Sequence, residues 1–287
     1  SISESPGFSH GEYVNKMEAH KFMNLADFKR WEIIGSGGKT TFMSESARLL
    51  AQQKGGQAKV IFTTSTHLAW PSARQTNFYP GQLLECGGPE DGSLEVAEAK
   101  WRELGAQASA KYMLAKGEGC VCGLARLDAK RSKWIGFSSG ELDKISSWPG
   151  LDYLLVEADG SKCLPVKAHA SHEPVFYSRA DLGVAIIGMR GLGRRVEEGQ
   201  VHRPELMCRL LYCEPGAPIG TGQFVQLACA YLALLPTRAK VLVFSQAENS
   251  PSSLLAQLAA QVRKHYAEVL ILSQAADKQG QIVYREF

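Results

Sequence analysis

Residues 33–41 read Ile-Ile-Gly-Ser-Gly-Gly-Lys-Thr-Thr, and this stretch decides the fold that the sequence predicts. Two apolar residues end a predicted strand, three glycines follow within four positions, and a lysine and two threonines open an amphipathic helix. Glycines let backbone N–H groups turn towards an anion, and lysine supplies a charge for phosphate oxygens. A threonine hydroxyl at the start of a helix can bind Mg²⁺. The stretch therefore predicts a phosphate-binding loop between a strand and a helix.

The predicted phosphate loop is shorter than the usual P-loop, which reads G-x-x-x-x-G-K-[ST]. The first glycine of that motif would fall at residue 33, which is isoleucine, and the sequence reads G-x-x-G-K-T-T instead. Adjacent glycines often mark only a turn, but the strand before them and the helix after them favour phosphate binding. The residues assigned to a bound nucleotide are Gly35, Ser36, Gly37, Gly38, Lys39, Thr40 and Thr41.

The overall composition is that of a soluble globular protein. Of 287 residues, 45% are hydrophobic and 21% are charged, which allows a sizeable core. A net charge of +3 and an isoelectric point near 8.4 are far from those of a strongly basic nucleic-acid binder. No apolar run reaches the roughly 18 to 20 residues of a membrane span, and the first residues lack a secretory signal pattern. Seven irregularly spaced cysteines argue against a disulfide framework. We therefore expect a cytoplasmic protein that binds neither nucleic acid nor membrane.

Short apolar strands alternate with longer helices along the chain. The predicted strands are residues 31–34, 59–63, 83–86, 120–125, 134–137, 151–156, 182–187, 240–244, 269–272 and 282–284. The predicted helices are residues 40–54, 93–116, 141–147, 204–212, 222–235 and 252–266. This alternation predicts an α/β fold with a mostly parallel sheet flanked by helices, similar to P-loop NTPases.

The domain organisation follows from the same pattern. Residues 1–16 are polar and without periodicity, which predicts a flexible N-terminal tail. We expect residues 17–287 to form a single P-loop-like α/β domain, with a smaller C-terminal subdomain from about residue 200 as an alternative. Because ligands bind beyond the carboxyl ends of parallel strands, we expect the glycine loop, residues 63–66 and residues 157–162 to meet at one edge.

Two acidic residues directly follow the apolar strand at residues 151–156. Glu157 and Asp159 are placed to hold Mg²⁺ or its water beside a phosphate loop, because the cation needs oxygen ligands besides the phosphates. Acidic residues also commonly solvate strand ends, so a purely structural role stays open. The candidate catalytic residues are Lys39, Glu157, Asp159 and Lys162.

Hydroxyl side chains follow the second strand, where residues 63–66 read Thr-Thr-Ser-Thr. Their oxygens suit a γ-phosphate or Mg²⁺, and strand propensity followed by a turn explains the same run equally well. His67 comes next but has no partners at the spacing of a zinc site. Cys120 and Cys122 are expected to pack as small apolar side chains in a strand. The candidate metal ligands are Thr40, Thr64 and Glu157.

Ionisable residues are concentrated in the loop after the predicted metal-binding acids. They are Lys162, Lys167, His169, His172 and Glu173. This loop either binds a second, anionic substrate or is simply solvated. Residues 188–195 carry three arginines among glycines, but the glycine order G-x-x-G-x-G is the reverse of the dinucleotide motif, which argues against that motif. The candidate residues for a second substrate or partner are Lys167, His172, Glu173, Arg190, His202 and Arg203.

The sequence leaves the base of the nucleotide open. GTP-binding P-loop proteins carry Asn-Lys-x-Asp after a late strand, whereas residues 245–248 read Ser-Gln-Ala-Glu. This segment has the right position but not the residues that recognise guanine. ATP and GTP are therefore both candidates.

Five short motifs occur in a fixed order along the chain. They are Gly-Ser-Gly-Gly-Lys-Thr-Thr at 35–41, Thr-Thr-Ser-Thr-His at 63–67, Val-Glu-Ala-Asp-Gly-Ser-Lys at 156–162, His-Glu-Pro at 172–174 and His-Arg-Pro-Glu at 202–205. With them, the chain from about residue 25 onwards resembles the YqeC family. This family is described as accessory factors for selenium-dependent molybdenum hydroxylases, also called selenium cofactor biosynthesis proteins. The resemblance implies a nucleotide-binding role, with a molybdenum hydroxylase or its cofactor as partner.

The glycine loop also looks like the G-T-x-G-K-[ST]-[ST] loop of Mur ligases and folylpolyglutamate synthases. In those enzymes a glutamate after a later strand helps to hold Mg²⁺, and Glu157 stands in the matching place. The chain is too short for three ligase domains. This second resemblance therefore implies a nucleotide site and does not extend to ligase chemistry.

We expect a Mg²⁺-dependent protein that binds ATP or GTP and hydrolyses it, or transfers phosphate, while a molybdenum–selenium hydroxylase matures. Lys39 would contact the β- and γ-phosphates, Thr40 would bind Mg²⁺, and Glu157 or Asp159 would complete the metal shell. One alternative is a non-catalytic, nucleotide-dependent chaperone or scaffold for a client enzyme. Another is an anion-binding α/β protein without nucleotide specificity.

Overall fold

The computed structural model describes residues 25–69, 82–85, 94–107, 120–128, 133–278, 280 and 282–287. Its strands are β1 Arg30–Ser36, β2 Lys59–Thr64, β3 His67–Ala69, β4 Gln82–Glu85, β5 Cys120–Asp128, β6 Lys133–Ile135, β7 Tyr153–Glu157, β8 Leu182–Gly188, β9 Ala239–Ser245, β10 Leu270–Ala276 and β11 Ile282–Glu286. Its helices are α1 Lys39–Ala51, α2 Leu94–Gln107, α3 Ser139–Ile145, α4 Pro204–Leu211, α5 Thr221–Leu234 and α6 Ser252–Arg263. A 3₁₀ turn spans Met189–Gly191.

Within the described ranges, eight strands pair in parallel in one sheet, in the order β4-β5-β2-β7-β1-β8-β9-β10. β11 adds an antiparallel edge to β10, and β3 and β6 extend β5 in antiparallel fashion. β1 lies in the middle of the sheet between β7 and β8. The predicted α/β fold with a mostly parallel sheet flanked by helices is therefore confirmed.

Helices cover both faces of the sheet, which explains why the central strands are apolar at consecutive positions. On one face, Phe42 of α1 packs over Trp31 and Ile33 of β1. On the other face, Ile34 belongs to a core that α4, α5 and α6 share with β8 and β9. α2 and α3 contribute to a third cluster around Trp101. Alternate residues of β1 thus contribute to opposite cores, as the two-residue period of a strand requires.

Most predicted elements occur, but several ends are shifted. The helix predicted to end at residue 54 ends at Ala51, and a short helical turn, Gln53–Gly56, follows, in which Lys54 and Gly55 adopt left-handed backbone angles. The helix predicted from residue 141 begins at Ser139, since Ser138 and Glu141 form a capping box ahead of it. The strand predicted to end at residue 272 continues to Ala276, where β11 supplies hydrogen bonds. β3 is a strand that the sequence pattern did not predict.

Some predictions are not tested by this structure. The tail at residues 1–16 and residues 108–116 of a predicted helix lie outside the described residues. The division into one domain, or a domain with a subdomain, stays a prediction. In the described ranges, no helix combines the length and the apolar character needed to cross a lipid bilayer.

The fold brings the carboxyl ends of four central strands to one edge of the sheet. Glu157 at the end of β7 lies beside Ile33 of β1 and beside Thr64 of β2 in the strand register. Gly35 of β1 lies beside Ile186 of β8. The segments expected to meet at this edge therefore do so, and the polar residues after these strands form the candidate site.

Candidate functional site

The glycine loop between β1 and α1 depends on backbone angles that favour glycine. Gly35, Gly37 and Gly38 have φ values of +103°, +79° and +112°. A Cβ on Gly35 would lie 2.0 Å from the carbonyl oxygen of Ile186, so this position requires glycine for close approach to β8 as well as for its angle. No side chain caps the start of α1. The first N–H groups of that helix are therefore free of side-chain caps and carry its positive partial charge.

Asp159 is the centre of the site. Its side chain is fully buried, and its two oxygens contact four groups. Oδ1 accepts from Lys39 Nζ at 2.7 Å. Oδ2 accepts from the Gly35 N–H at 2.9 Å and contacts His169 Nε2 at 2.5 Å and Lys167 Nζ at 3.2 Å. We call these five residues the Asp159 cluster. Because both oxygens are occupied, Asp159 orients the loop and Lys39 and has little capacity left for a metal ion.

The charges of the cluster support one another. Burial opposes ionisation of Asp159, but Lys39, His169 and Lys167 outweigh it and hold the pKa of Asp159 well below its usual range. Burial likewise opposes the charge on Lys39, but Asp159 and Glu157 raise the pKa of Lys39 above its ordinary value. Burial lowers the pKa of His169 despite its contact with Asp159. An ionised carboxylate thus holds a charged lysine beside the glycine loop.

Glu157 differs from Asp159, although it lies only two residues away. Its Oε1 is 3.6 Å from Lys39 Nζ, and its buried Oε2 has no hydrogen-bond partner. Burial raises the pKa of Glu157 above its usual value, and the attraction of Lys39 does not cancel this effect. A buried carboxylate oxygen without a partner has an unmet need for a proton or a cation.

Glu157 suits Mg²⁺ better than a metal held by protein ligands alone. Among the described residues, no three His, Cys, Asp or Glu side chains are grouped to hold a metal ion. Mg²⁺ in phosphate sites commonly uses one or two carboxylates and takes its other ligands from water and phosphate. The free oxygen of Glu157 therefore fits Mg²⁺ that arrives with a phosphate ligand.

The hydroxyl residues assigned from sequence occupy different environments. The Thr64 hydroxyl donates to the Glu157 backbone oxygen at 2.9 Å and accepts from the Thr66 N–H at 3.0 Å. The Ser36 hydroxyl is buried and donates to the Leu164 backbone oxygen. Thr40 and Thr41 are half-buried in the first turn of α1. Thr64 and Ser36 therefore stabilise the turns around the site, whereas Thr40 lies at the open helix start.

A chain of ion pairs extends from the Asp159 cluster towards α4. Lys167 Nζ donates to Glu173 Oε2 at 2.8 Å and to the Gly160 backbone oxygen at 2.6 Å. The same Glu173 oxygen accepts from Arg203 Nη1 at 2.8 Å. Burial opposes ionisation of Glu173, but its bonds with Arg203 and Lys167 lower its pKa to about 2. Lys167, Glu173 and Arg203, which the sequence assigned to a second substrate, therefore form one connected unit with Asp159.

The other residues assigned to a second substrate or to catalysis lie nearer the surface. Lys162 and His172 are exposed. Arg190 is exposed too, with Nη2 3.8 Å from Glu248. His202 is half-buried, and burial followed by the charges of Arg203, Lys167 and Lys162 lowers its pKa to about 4. A neutral imidazole at neutral pH thus lies among cationic side chains.

Sequence reasoning missed three polar residues that support the site. The Tyr231 hydroxyl of α5 accepts from the Lys167 N–H at 2.9 Å and donates to the Lys167 oxygen at 2.7 Å. The Ser245 hydroxyl donates to the Gly37 backbone oxygen. Gln246 Oε1 lies against Gly37 and is buried without a partner. Ser245 and Gln246 were considered only as part of a base pocket, and nothing in the apolar pattern of α5 distinguishes Tyr231 from a core residue.

Comparison with known proteins gives two findings. A family model described as "YqeC protein" matches residues 32–205. The chain is similar to a protein of Escherichia coli (strain K12) named "Uncharacterized protein YqeC", with 28% identity over 195 residues, 68% of this chain and 65% of the relative. The chain thus matches about 65% of the length of that curated relative. The segment matched by the family model runs from β1 into α4 and includes the glycine loop, the Asp159 cluster and Arg203.

Proposed function

The chain belongs to the YqeC family, and from this premise we propose that it binds ATP or GTP with Mg²⁺ at the glycine loop. The proposal rests mainly on the start of α1. No side chain caps this helix, and beside it the Gly35 oxygen and Asp159 hold Lys39 Nζ in place. Free N–H groups at a helix start attract phosphate oxygens. A fixed ammonium group adds a charge that need not be ordered when the ligand binds.

Lys39 has one N–H group to offer to a phosphate. Two of its three N–H groups are used, one by the Gly35 oxygen at 2.7 Å and one by Asp159 Oδ1 at 2.7 Å. The carboxylate oxygen of Glu157 lies at 3.6 Å, which is longer than a hydrogen bond. We assign the remaining N–H group to the β- and γ-phosphates. Asp159 acts as the positioning residue for Lys39.

Glu157 and Thr40 are the residues we assign to Mg²⁺. Glu157 has the free buried oxygen, and Thr40 lies in the first turn of α1. Thr64 stays a weaker candidate because its hydroxyl is engaged in the turn after β2. Bound Mg²⁺ supplies neutralisation of charge on the β- and γ-phosphates.

The proposed reaction is hydrolysis of the nucleotide or transfer of its γ-phosphate. Positioning and charge neutralisation account for most of the catalysis of such reactions. The alternative is a non-catalytic switch that reports bound nucleotide to a client enzyme. The ion-pair chain from Lys39 through Asp159, Lys167 and Glu173 to Arg203 favours that alternative, because it links the phosphate loop to α4. Steady-state hydrolysis, with and without a client, separates the two.

The proposed partner follows from the family resemblance. We propose that a selenium-dependent molybdenum hydroxylase, or its cofactor, is the client whose maturation uses the nucleotide. Its contact surface would include the exposed Lys162, His172 and Arg190 together with His202 and Arg203, and the charges of the lysine and the two arginines suit an anionic group. Pull-down of the hydroxylase by the intact chain, and its loss in an Arg190→Glu variant, would support this partner. Equal capture by both chains would exclude that surface.

Calorimetry with ATP and GTP, each with and without Mg²⁺, tests the nucleotide site. We expect Lys39→Ala to weaken binding by about 1.5–3 kcal/mol, because a charged hydrogen-bonding partner is removed, or about ten- to a hundredfold in Kd. Lys54→Ala removes the same charge from the exposed turn after α1 and serves as the matched control. Far-UV circular dichroism and thermal unfolding verify that both variants are folded.

The outcomes are distinct. Equal affinity of wild type and Lys39→Ala would remove Lys39 from the phosphate site, and no binding of either nucleotide by wild type would overturn the proposal. Glu157→Gln should leave nucleotide binding without Mg²⁺ unchanged and abolish any enhancement by Mg²⁺. An unchanged Mg²⁺ response would exclude Glu157 as a ligand.

A further inference from the structure

Cys208 and Cys213 lie on either side of the turn that ends α4. The Cys213 N–H donates to the Cys208 backbone oxygen at 3.1 Å. Between them, Tyr212 adopts left-handed angles of φ 51° and ψ 47°, and its N–H also bonds to the Cys208 oxygen. This is the Schellman arrangement, in which the residue two beyond the helix end contacts a residue of the last turn. In this chain, both residues of that contact are cysteines.

The two thiols are free and half-buried, and Cys208 lies close enough to Cys213 to help raise the pKa of the Cys213 thiol. Among the cysteines whose side chains the structure describes, Cys163 is exposed and Cys229 is half-buried, and neither has a neighbouring thiol. The adjoining Tyr212 side chain is 90% exposed, so the turn faces solvent. Small molecules therefore have access to a preformed pair of thiols.

We propose that Cys208 and Cys213 are a redox-active dithiol that low-molecular-weight disulfides convert to an intramolecular disulfide. The backbone bond from the Cys213 N–H to the Cys208 oxygen brings the two residues together at the end of α4, where this kind of turn commonly sets the two side chains in contact, so the disulfide needs no unfolding of α4. The site lies outside the proposed nucleotide site and does not depend on it.

The two cysteines have different roles in the exchange. Burial, and then the neighbouring Cys208, raises the pKa of the Cys213 thiol, which makes Cys213 a poor first nucleophile, and we assign the first attack to Cys208. The Cys208 thiolate attacks one sulfur of the small disulfide, forms a mixed disulfide and releases one small thiolate. Cys213 then loses its proton and attacks Cys208 Sγ, which forms the protein disulfide and releases the second small thiolate. The dithiol is oxidised by two electrons, the small disulfide is reduced to two thiols, and these take up the two protons.

Peptide mapping of the intact chain after incubation with glutathione disulfide tests the proposal. Trypsin cleaves after Arg209, between the two cysteines, so a disulfide leaves their peptides covalently joined. Cys229 shares a tryptic peptide with Cys213, and the reference chain therefore carries Cys229→Ser. Free thiols are alkylated before digestion. Exposed Cys163 serves as the internal control, since it can be modified but has no adjoining thiol among the cysteines whose side chains are described.

In the reference chain we expect the two peptides to be joined and neither cysteine to be alkylated. The mass of the joined pair should be two hydrogens lower than the sum of the two reduced peptides. With Cys213→Ser added, we expect a persistent glutathione adduct on Cys208 and no joined peptides. The rate should rise about tenfold per pH unit below the pKa of the attacking thiol. Absence of joined peptides while Cys163 is modified would overturn the proposal. A Cys208 adduct that persists equally with and without Cys213 would also overturn it.

Discussion

Glu157 and Asp159 are separated by one residue, yet neutral isosteric replacement of each should change stability in opposite directions. Asp159 is fully buried, ionised and bonded to Gly35, Lys39, Lys167 and His169. In Asp159→Asn, an NH₂ group replaces one oxygen and faces at least one of these donors. Removing one partner of a buried charge network costs about 3–5 kcal/mol, and we expect Asp159→Asn to lose that amount. This is a large share of the roughly 5–15 kcal/mol that stabilises a domain.

Glu157→Gln should be neutral or slightly stabilising, by up to about 1 kcal/mol. Burial raises the pKa of Glu157 in the folded protein above its ordinary value. Folding therefore disfavours the ionised form of Glu157, so the protein loses stability as pH rises above the ordinary glutamate pKa. A neutral amide removes this penalty. Because Lys39 keeps Asp159 and the Gly35 oxygen as partners, it remains compensated.

Urea unfolding at pH 7 measures both variants, provided that the m-value is unchanged. Asp181→Asn is the control, because that carboxylate is exposed and accepts the backbone N–H groups of Lys29 and Arg30. Asp181→Asn should lower the free energy of unfolding by about 1 kcal/mol. A loss of less than about 1 kcal/mol for Asp159→Asn would contradict the central role of this residue. Equal losses for Asp159→Asn and Glu157→Gln would contradict the distinction between the two carboxylates.

Three further predictions concern neighbouring features. Gly35→Ala should lower the free energy of unfolding in urea by about 3 kcal/mol or more, because its Cβ would lie 2.0 Å from the Ile186 oxygen. Gly55→Ala is the control: Gly55 has φ +67° but open space around it, so the free energy of unfolding should fall by only about 1 kcal/mol. The pKa of Glu173 is lowered from 4.5 to about 2, so its stabilisation should be lost as pH falls through that window, and Glu173→Gln should flatten the acid limb of stability against pH. Burial raises the pKa of Glu32 from 4.5 to about 7, so wild type should lose stability as pH rises through that range, and Glu32→Gln should not.

The fold could be predicted because its signals are local. Strand and helix periods, and the glycine run at residues 35–38, depend on residues close together in sequence. The parallel sheet and the meeting of Gly35 with residue 157–159 at one edge followed from general rules for α/β chains. Element ends shifted where a cap or a pairing strand decided them, as at Ser138 and Ala276.

The roles of individual side chains were harder to predict, because they depend on contacts between distant segments. The sequence predicted a metal or catalytic role for both Glu157 and Asp159, but it could not show that Asp159 contacts four groups while Glu157 keeps a free oxygen. Thr64 has the same oxygen chemistry whether it binds metal or closes a turn, so residue type alone could not separate the two. Tyr231 joins the site through a hydroxyl in the apolar second half of α5.

The central position of β1 has a consequence for biosynthesis. Both of its neighbours in the sheet, β7 and β8, are translated long after it, and β8 ends only at Gly188. At roughly 5–20 residues per second, β1 waits on the order of ten seconds for its partners. Until then the backbone N–H and C=O groups along its edges have no native strand to pair with, and α1 can cover only one of its apolar faces. During this interval, chaperones that bind nascent chains, or a non-native strand, can compete for the segment that carries the glycine loop.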